Sequence, residues 1–159
     1  MKKLELSGPL GRGFFVLLDD EDYEEMSVWS WNISWKGYAI RTERAGGKRT
    51  IYLHREVAKR AGIKIGSKQV DHRDGDKMDC RRENLRIASN QQNQANVSRQ
   101  TNNTTGFKGV SYHKVKKKWI ARIGVRYKRI SLGHFDNPED AHAAYEAAAI
   151  KYFGQFAKA

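Results

Sequence analysis

The chain has 159 residues, 39% of them hydrophobic and 30% charged, with a formal net charge of +12. That is room for one ordinary domain or two small ones. The sequence holds no run near the roughly 20 apolar residues that span a bilayer, and a single cysteine, Cys80, excludes an internal disulfide or a zinc finger built on paired cysteines.

In chain order, residues 1–47 carry a net charge of −2. Met1-Lys2-Lys3-Leu4-Glu5 has no apolar stretch of signal-peptide length, so an unsecreted, cytoplasmic protein with no membrane partner is expected. Phe14–Leu18 is a compact apolar run, and the acidic residues after it suit the first turn of a short helix over Asp20–Met26. Val28–Trp35 alternates, placing Trp29, Trp31, Ile33 and Trp35 on one side of a strand facing a core. Turns at Lys36-Gly37 and Ala45–Lys48 lead into Tyr38–Thr42 and Thr50–Leu53, which predicts a small antiparallel sheet. His54–Ala61 reads as a helix closed by Gly62.

Residues 48–96 carry a net +6 and residues 97–159 a net +8, so the basic excess lies wholly in the last two thirds. Such a surface repels itself unless it meets a polyanion, and nucleic acid is the expected partner. The polar, amide-rich stretch at 97–105 lacks the apolar surface to fold and reads as a linker. Beyond it come strands over Gly109–His113, Trp119–Val125 and Arg129–Phe135. A helix then starts at Asn137 as N-cap with Pro138 at its first position, shows an apolar face of Ala141, Ala144, Tyr145, Ala148 and Tyr152, and ends at Gly154. One helix covers one face of a three-stranded sheet; the other face is left bare and basic.

The densest chemistry lies between Gln69 and Asn93. Hydrolysis of a phosphodiester needs a base for water, a cation to offset charge on the phosphorane, and stabilisation of the leaving oxygen. His72 suits the base, because neutral imidazole is plentiful near pH 7. Asp71 offers a hard anionic oxygen suited to Mg²⁺ and Asn93 a neutral one, with water and substrate phosphate completing the octahedron. Neighbours in a strand point to opposite faces, so a shared centre requires the strand to end or bulge at Asp71-His72, which the turn chemistry of Arg73-Asp74-Gly75-Asp76 allows. His54 is a further phosphate-contact candidate. Asp74, Asp76 and Asp79 lack the spacing and terminal acidic ligand of a calcium loop.

Asp71-His72, Asn84 and Asn93, with Tyr52-Leu53-His54-Arg55 and Glu83-Asn84-Leu85-Arg86 around them, resemble the phage-type HNH homing endonucleases. The resemblance implies a ββα-metal core over about 51–96, Asp71 and Asn93 as metal ligands, His72 as general base, and Asn84 as a brace for the loop and His72. It also implies a bacterial or phage-infected host. Asn at position 93, where relatives often carry His, favours Mg²⁺ or Mn²⁺ over zinc.

Thr105-Gly106-Phe107-Lys108-Gly109-Val110, Lys118–Ile123, Leu132–Phe135 and Ala141–Tyr145 resemble the APETALA-type (ethylene-responsive-factor) DNA-binding domain. That family packs a helix behind a three-stranded sheet whose outer face enters the major groove. Its matched DNA-facing positions are Lys108, Tyr112, Trp119, Arg122, Arg126, Lys128, Arg129 and Ser131. Lys108 and Ser131 depart from the usual Arg and Trp, so the target sequence does not carry over.

The expected fold is α+β: a small N-terminal antiparallel sheet leading into a ββα-metal nuclease core within residues 1–96, a linker at 97–105, and a three-stranded antiparallel sheet backed by one helix at 106–159. The expected function is a metal-dependent, site-directed DNA endonuclease of the homing type, acting on double-stranded DNA as a monomer. The rival is a non-enzymatic DNA-binding regulator that keeps an inactive HNH fold.

Overall fold

The computed structural model describes residues 1–96, 103 and 105–158; most of the expected linker lies outside the described residues. The chain divides into two compact units, Met1–Ala88 and Ser89–Ala159. Among the described residues no helix is long and apolar enough to cross a membrane.

In the first unit, β1 (Lys2–Glu5) and β2 (Phe15–Leu18) form an antiparallel ladder. Helix α1 (Asp20–Ser27) follows, with Asp20, Glu21 and Asp22 in its first turn, where negative charge offsets the helix dipole. Strands β3 (Asn32–Ile33), β4 (Ala39–Glu43) and β5 (Arg49–Tyr52) make a three-stranded meander. Helix α2 (Leu53–Arg60) runs straight out of β5, and β6 (Gln69–His72) pairs antiparallel with β7 (Leu85–Ala88) around the loop that joins them. The shared core includes Val16, Leu18, Met26, Trp31, Leu53, Val57, Cys80 and Leu85.

The tryptophans correct an expectation. Trp31 is buried and its indole N–H donates to the Met26 carbonyl at 2.8 Å, but Trp29 is 48% and Trp35 86% exposed. The expected strand over Val28–Trp35 is only two residues long. The end of α1 takes the start of that segment, with Trp29 N–H still bonded to the Met26 carbonyl, and a turn takes the end. Without continuous extended backbone, alternation no longer assigns a face.

One buried carboxylate ties this unit together across long sequence separations. Asp22, fully buried on α1, accepts from Arg60 Nε at 3.1 Å and from Arg82 Nε and Nη2 at 2.7 and 2.8 Å. Burial opposes its ionisation, but the two guanidinium groups outweigh that and hold its carboxyl below the usual range.

In the second unit, α3 (Asn90–Asn96) precedes β8 (Val110–His113), β9 (Lys118–Val125) and β10 (Lys128–Phe135), which form an antiparallel sheet in the order β10-β9-β8. Helix α4 (Pro138–Phe153) backs it. Asn137 caps α4, its side chain accepting from Asp140 N–H at 2.8 Å, and Gly154 closes it with φ 53°. Tyr152 is 42% exposed and Phe153 packs on the core in its place. Gly109 has φ 74°, and a Cβ there would run into the Tyr145 ring and the Arg122 carbonyl; sheet and helix meet too closely for a side chain.

Candidate active site and nucleic-acid interface

The site in the first unit is built where β6 ends. Asp71 pairs in register with Arg86 and His72 with Leu85, after which the chain leaves the ladder through a turn in which Gly75 N–H bonds to the His72 carbonyl at 3.0 Å. Gly75, at φ 83°, supplies the left-handed backbone that this turn needs.

The loop from Arg73 to Arg81 is cross-braced rather than loose. Asn84 Oδ1 accepts from Asp74 N–H at 3.2 Å, and its amide donates to Asp74 Oδ1 at 3.0 Å and to the Asp79 carbonyl at 2.9 Å. Asp74 and Asp76 accept from the main-chain N–H groups two residues ahead, at 2.8 and 2.9 Å. Strand β2 holds the far side, with Leu17 N–H bonded to the Met78 carbonyl and Cys80 N–H to the Leu17 carbonyl. The aspartates that resemble a calcium loop are thus spent on turns.

His72 is buried in an aromatic cluster. Its ring centroid lies 5.0 Å from that of His54, edge to face, and 6.1 Å from Tyr38; Tyr38 lies 5.2 Å and Tyr52 5.6 Å from His54. Cys80 Sγ is 3.8 Å from His72 Nε2. Burial lowers the His72 pKa although Asp71, Asp74, Asp76 and Asp79 pull the other way. His54 drops to about 3, again chiefly through burial, with His72 and Arg55 adding to it. Both imidazoles are therefore neutral near pH 7. The Tyr38 phenol is raised by burial and by the Asp71 charge, and burial pushes the Cys80 thiol up, which makes it an inert core group.

Asp71 is 5% exposed, and its Oδ2 accepts from Arg86 Nε at 2.9 Å. The Arg86 guanidinium thereby orients the carboxylate. The structure thus brings Asp71, His72, Asn84 and His54 into one unit, and Asn93 stands in the middle of α3 in the second. Among the described residues no group of three or more His, Cys, Asp or Glu is arranged to hold a metal. The Asp71 carboxylate is a hard oxygen donor of the kind a divalent cation that keeps water and substrate ligands accepts. Sequence reasoning missed Tyr38 and Arg86; only the cross-strand pairing reveals Arg86.

In the second unit, register sorts the expected DNA contacts. Val110 pairs with Ala121, and both are in the core beneath α4. Tyr112 pairs with Trp119 two residues along, hence on the same face, and their rings meet edge to face at 5.1 Å. The expectation that Tyr112 and Trp119 face DNA is corrected: they lie on the helix side of the sheet. Arg122 and Ser131 pair on the outer face, with Arg129 opposite Gly124, and all are exposed. Lys128 pairs with Val125 at the sheet end, and Arg126 sits in the β9–β10 turn at φ 49°. Lys108 also departs from expectation: its ammonium donates at 2.7 Å to the carbonyls of Ala95 and Lys158, tying α3 to the C-terminal tail. The outer face gains residues that sequence reasoning passed over: Ser111, His113, Lys118 and His134.

A two-strand ladder carrying an Asp-His pair at its end, followed by a basic sheet on one helix, describes a nucleic-acid-processing chain. The comparisons agree. Residues 52–95 match the HNH endonuclease family model and residues 105–155 match that of the AP2 domain. The chain is 27% identical over 149 residues to an uncharacterized HNH endonuclease of Acanthamoeba polyphaga mimivirus, covering 92% of this chain and 75% of the relative. No solved structure matches it. These similarities support a nuclease with a DNA-binding domain of the AP2 kind, and HNH nucleases generally use a divalent metal ion.

Proposed function

We propose that the chain is a metal-dependent, site-directed DNA endonuclease of the homing type that nicks duplex DNA by phosphodiester hydrolysis. A nuclease part, residues 1–96, is delivered to its target by residues 106–159 through the 97–105 linker. The observation that carries this reading is a buried His72 beside an Asp71 carboxylate held by Arg86, at a strand end whose loop Asn84 cross-braces.

In this reading His72 takes the proton from the attacking water. Its depressed pKa keeps the imidazole free to accept that proton near neutral pH. Asp71 and Asn93 would hold the cation, which when bound offsets charge on the phosphorane and on the leaving oxygen. Arg86 fixes the direction of the Asp71 carboxylate. Asn84 positions the loop. Arg122, Arg129 and Ser131, with Lys118 and His134 beside them, form the face that meets duplex DNA, where arginines read guanine edges and lysine neutralises phosphate.

The test is nicking of supercoiled plasmid in Mg²⁺ or Mn²⁺, with and without EDTA. The wild type is expected to nick, and His72→Ala to abolish nicking while retaining DNA binding. Undiminished nicking by His72→Ala would refute the assignment. Tight DNA binding without nicking in any divalent metal would make the chain a regulator on an inactive HNH fold.

A further inference from the structure

The most exposed tryptophan of the first unit sits at a rigid point. Strands β3 and β4 join through Ser34-Trp35-Lys36-Gly37-Tyr38, a turn closed by Gly37 N–H to the Ser34 carbonyl and Ser34 N–H to the Tyr38 carbonyl, both at 2.8 Å. The Ser34 hydroxyl accepts from Tyr38 N–H at 3.0 Å, and Gly37 takes φ 78°. Trp35 and Lys36 therefore form the tip. Trp35 is 86% exposed and the Lys36 ammonium lies 4.9 Å from its ring centroid.

The tip is fastened to the site loop. Lys77 Nζ donates to the Lys36 carbonyl at 2.8 Å, and the same ammonium lies 4.8 Å over the Tyr38 ring, which stands against His54 and His72. Lys77 Cδ lies 3.8 Å from where a Gly37 Cβ would be, so its stem runs along the turn. A single exposed apolar side chain needs no explanation by itself. An indole held on a closed turn, clamped through one lysine to the His72 loop, flanked by two cations and with no acidic residue between Ser34 and Tyr38, is a different object.

We propose that this tip is a DNA wedge: Trp35 stacks on a base of the duplex beside the His72 centre, unstacking that step, while Lys36 and Lys77 neutralise the adjoining phosphates. The partner is duplex DNA, because a flat π face between cations complements a base flanked by phosphates, and stacking accepts any base. Local unstacking opens the backbone at the place where the base His72 must reach. The proposal rests on the endonuclease reading for its purpose, although the stacking is measured without cleavage.

The full-length protein is bound to supercoiled plasmid in EDTA and probed with permanganate, which attacks unstacked thymines. The wild type is expected to give localised reactivity that Trp35→Ala abolishes and Trp35→Phe keeps. In Mg²⁺, Trp35→Ala should lower kcat/KM for plasmid by about 5- to 150-fold, the range for losing one base stack. Equal permanganate reactivity in wild type and Trp35→Ala, or none in the wild type, overturns the wedge whether or not the plasmid is nicked. Absence of nicking by the wild type, with the permanganate pattern present and Trp35-dependent, overturns the nuclease reading and leaves the wedge standing.

Discussion

Asp71 and Arg86 stand opposite one another across the β6–β7 ladder, joined from Nε to Oδ2 at 2.9 Å, with both side chains buried. Removing one partner of such a pair costs more than the pair itself contributes, because the other charge stays out of water. Arg86→Leu is expected to lower unfolding free energy by about 3–5 kcal/mol. The double variant Asp71→Asn/Arg86→Leu should lose clearly less than the sum of the two single changes. Urea titration of the four proteins checks this; strict additivity would mean the two side chains are not coupled.

Acid should weaken the fold through His54. Its folded pKa is about 3, well below the ordinary value of 6.5. Between those values the unfolded chain binds the proton and the folded chain does not. Stability is therefore complete above about pH 6.5 and falls as pH drops toward 3, by up to about 1.4 kcal/mol per pH unit. His72, shifted in the same direction, adds to the slope. Urea midpoints between pH 7 and 4 should show a shallower slope in His54→Gln. Asp22 and Asp79, whose pKa values are lowered, give up their contributions only below the ordinary carboxylate range.

The tryptophans should separate sharply in stability. Trp31→Ala removes a fully buried ring and its hydrogen bond to the Met26 carbonyl, at a cost of about 3–5 kcal/mol. Trp35→Ala should stay within about 0.5 kcal/mol of wild type, as surface substitutions do. Thermal or urea unfolding decides; a large loss from Trp35→Ala would mean that its ring is packed in solution.

On the C-terminal sheet, Arg122→Ala and Arg129→Ala should each weaken DNA binding. A phosphate contact shows as a drop of about 0.9 in the slope of log affinity against log salt. A base contact shows instead as lost discrimination at one position, about 1–3 kcal/mol. Tyr112→Ala, on the helix side, should leave both unchanged. Filter binding at several salt concentrations distinguishes them, and a Tyr112 effect equal to that of Arg122 would contradict the register.

Much of this molecule was legible from local pattern. The α4 cap at Asn137, the Gly154 stop, the three C-terminal strands and the Asp71-His72 strand end all follow from interactions within a few residues. Face assignments were less secure. Alternation says that Trp119 and Ile120 point opposite ways, but only the pairing of Val110 with Ala121 decides which side the helix covers. At Trp29 and Trp35 a two-residue strand left alternation nothing to act on.

By itself, the order of residues determined the turns, the caps, the charge gradient and which side chains could do chemistry, because those depend on near neighbours and composition. Tertiary structure alone decided that His54 and Tyr38 enclose His72, that Arg86 meets Asp71, and that Asp22 gathers Arg60 and Arg82 from about 40 and 60 positions away. Such groups meet only when the chain closes on its core, and burial then sets their charge.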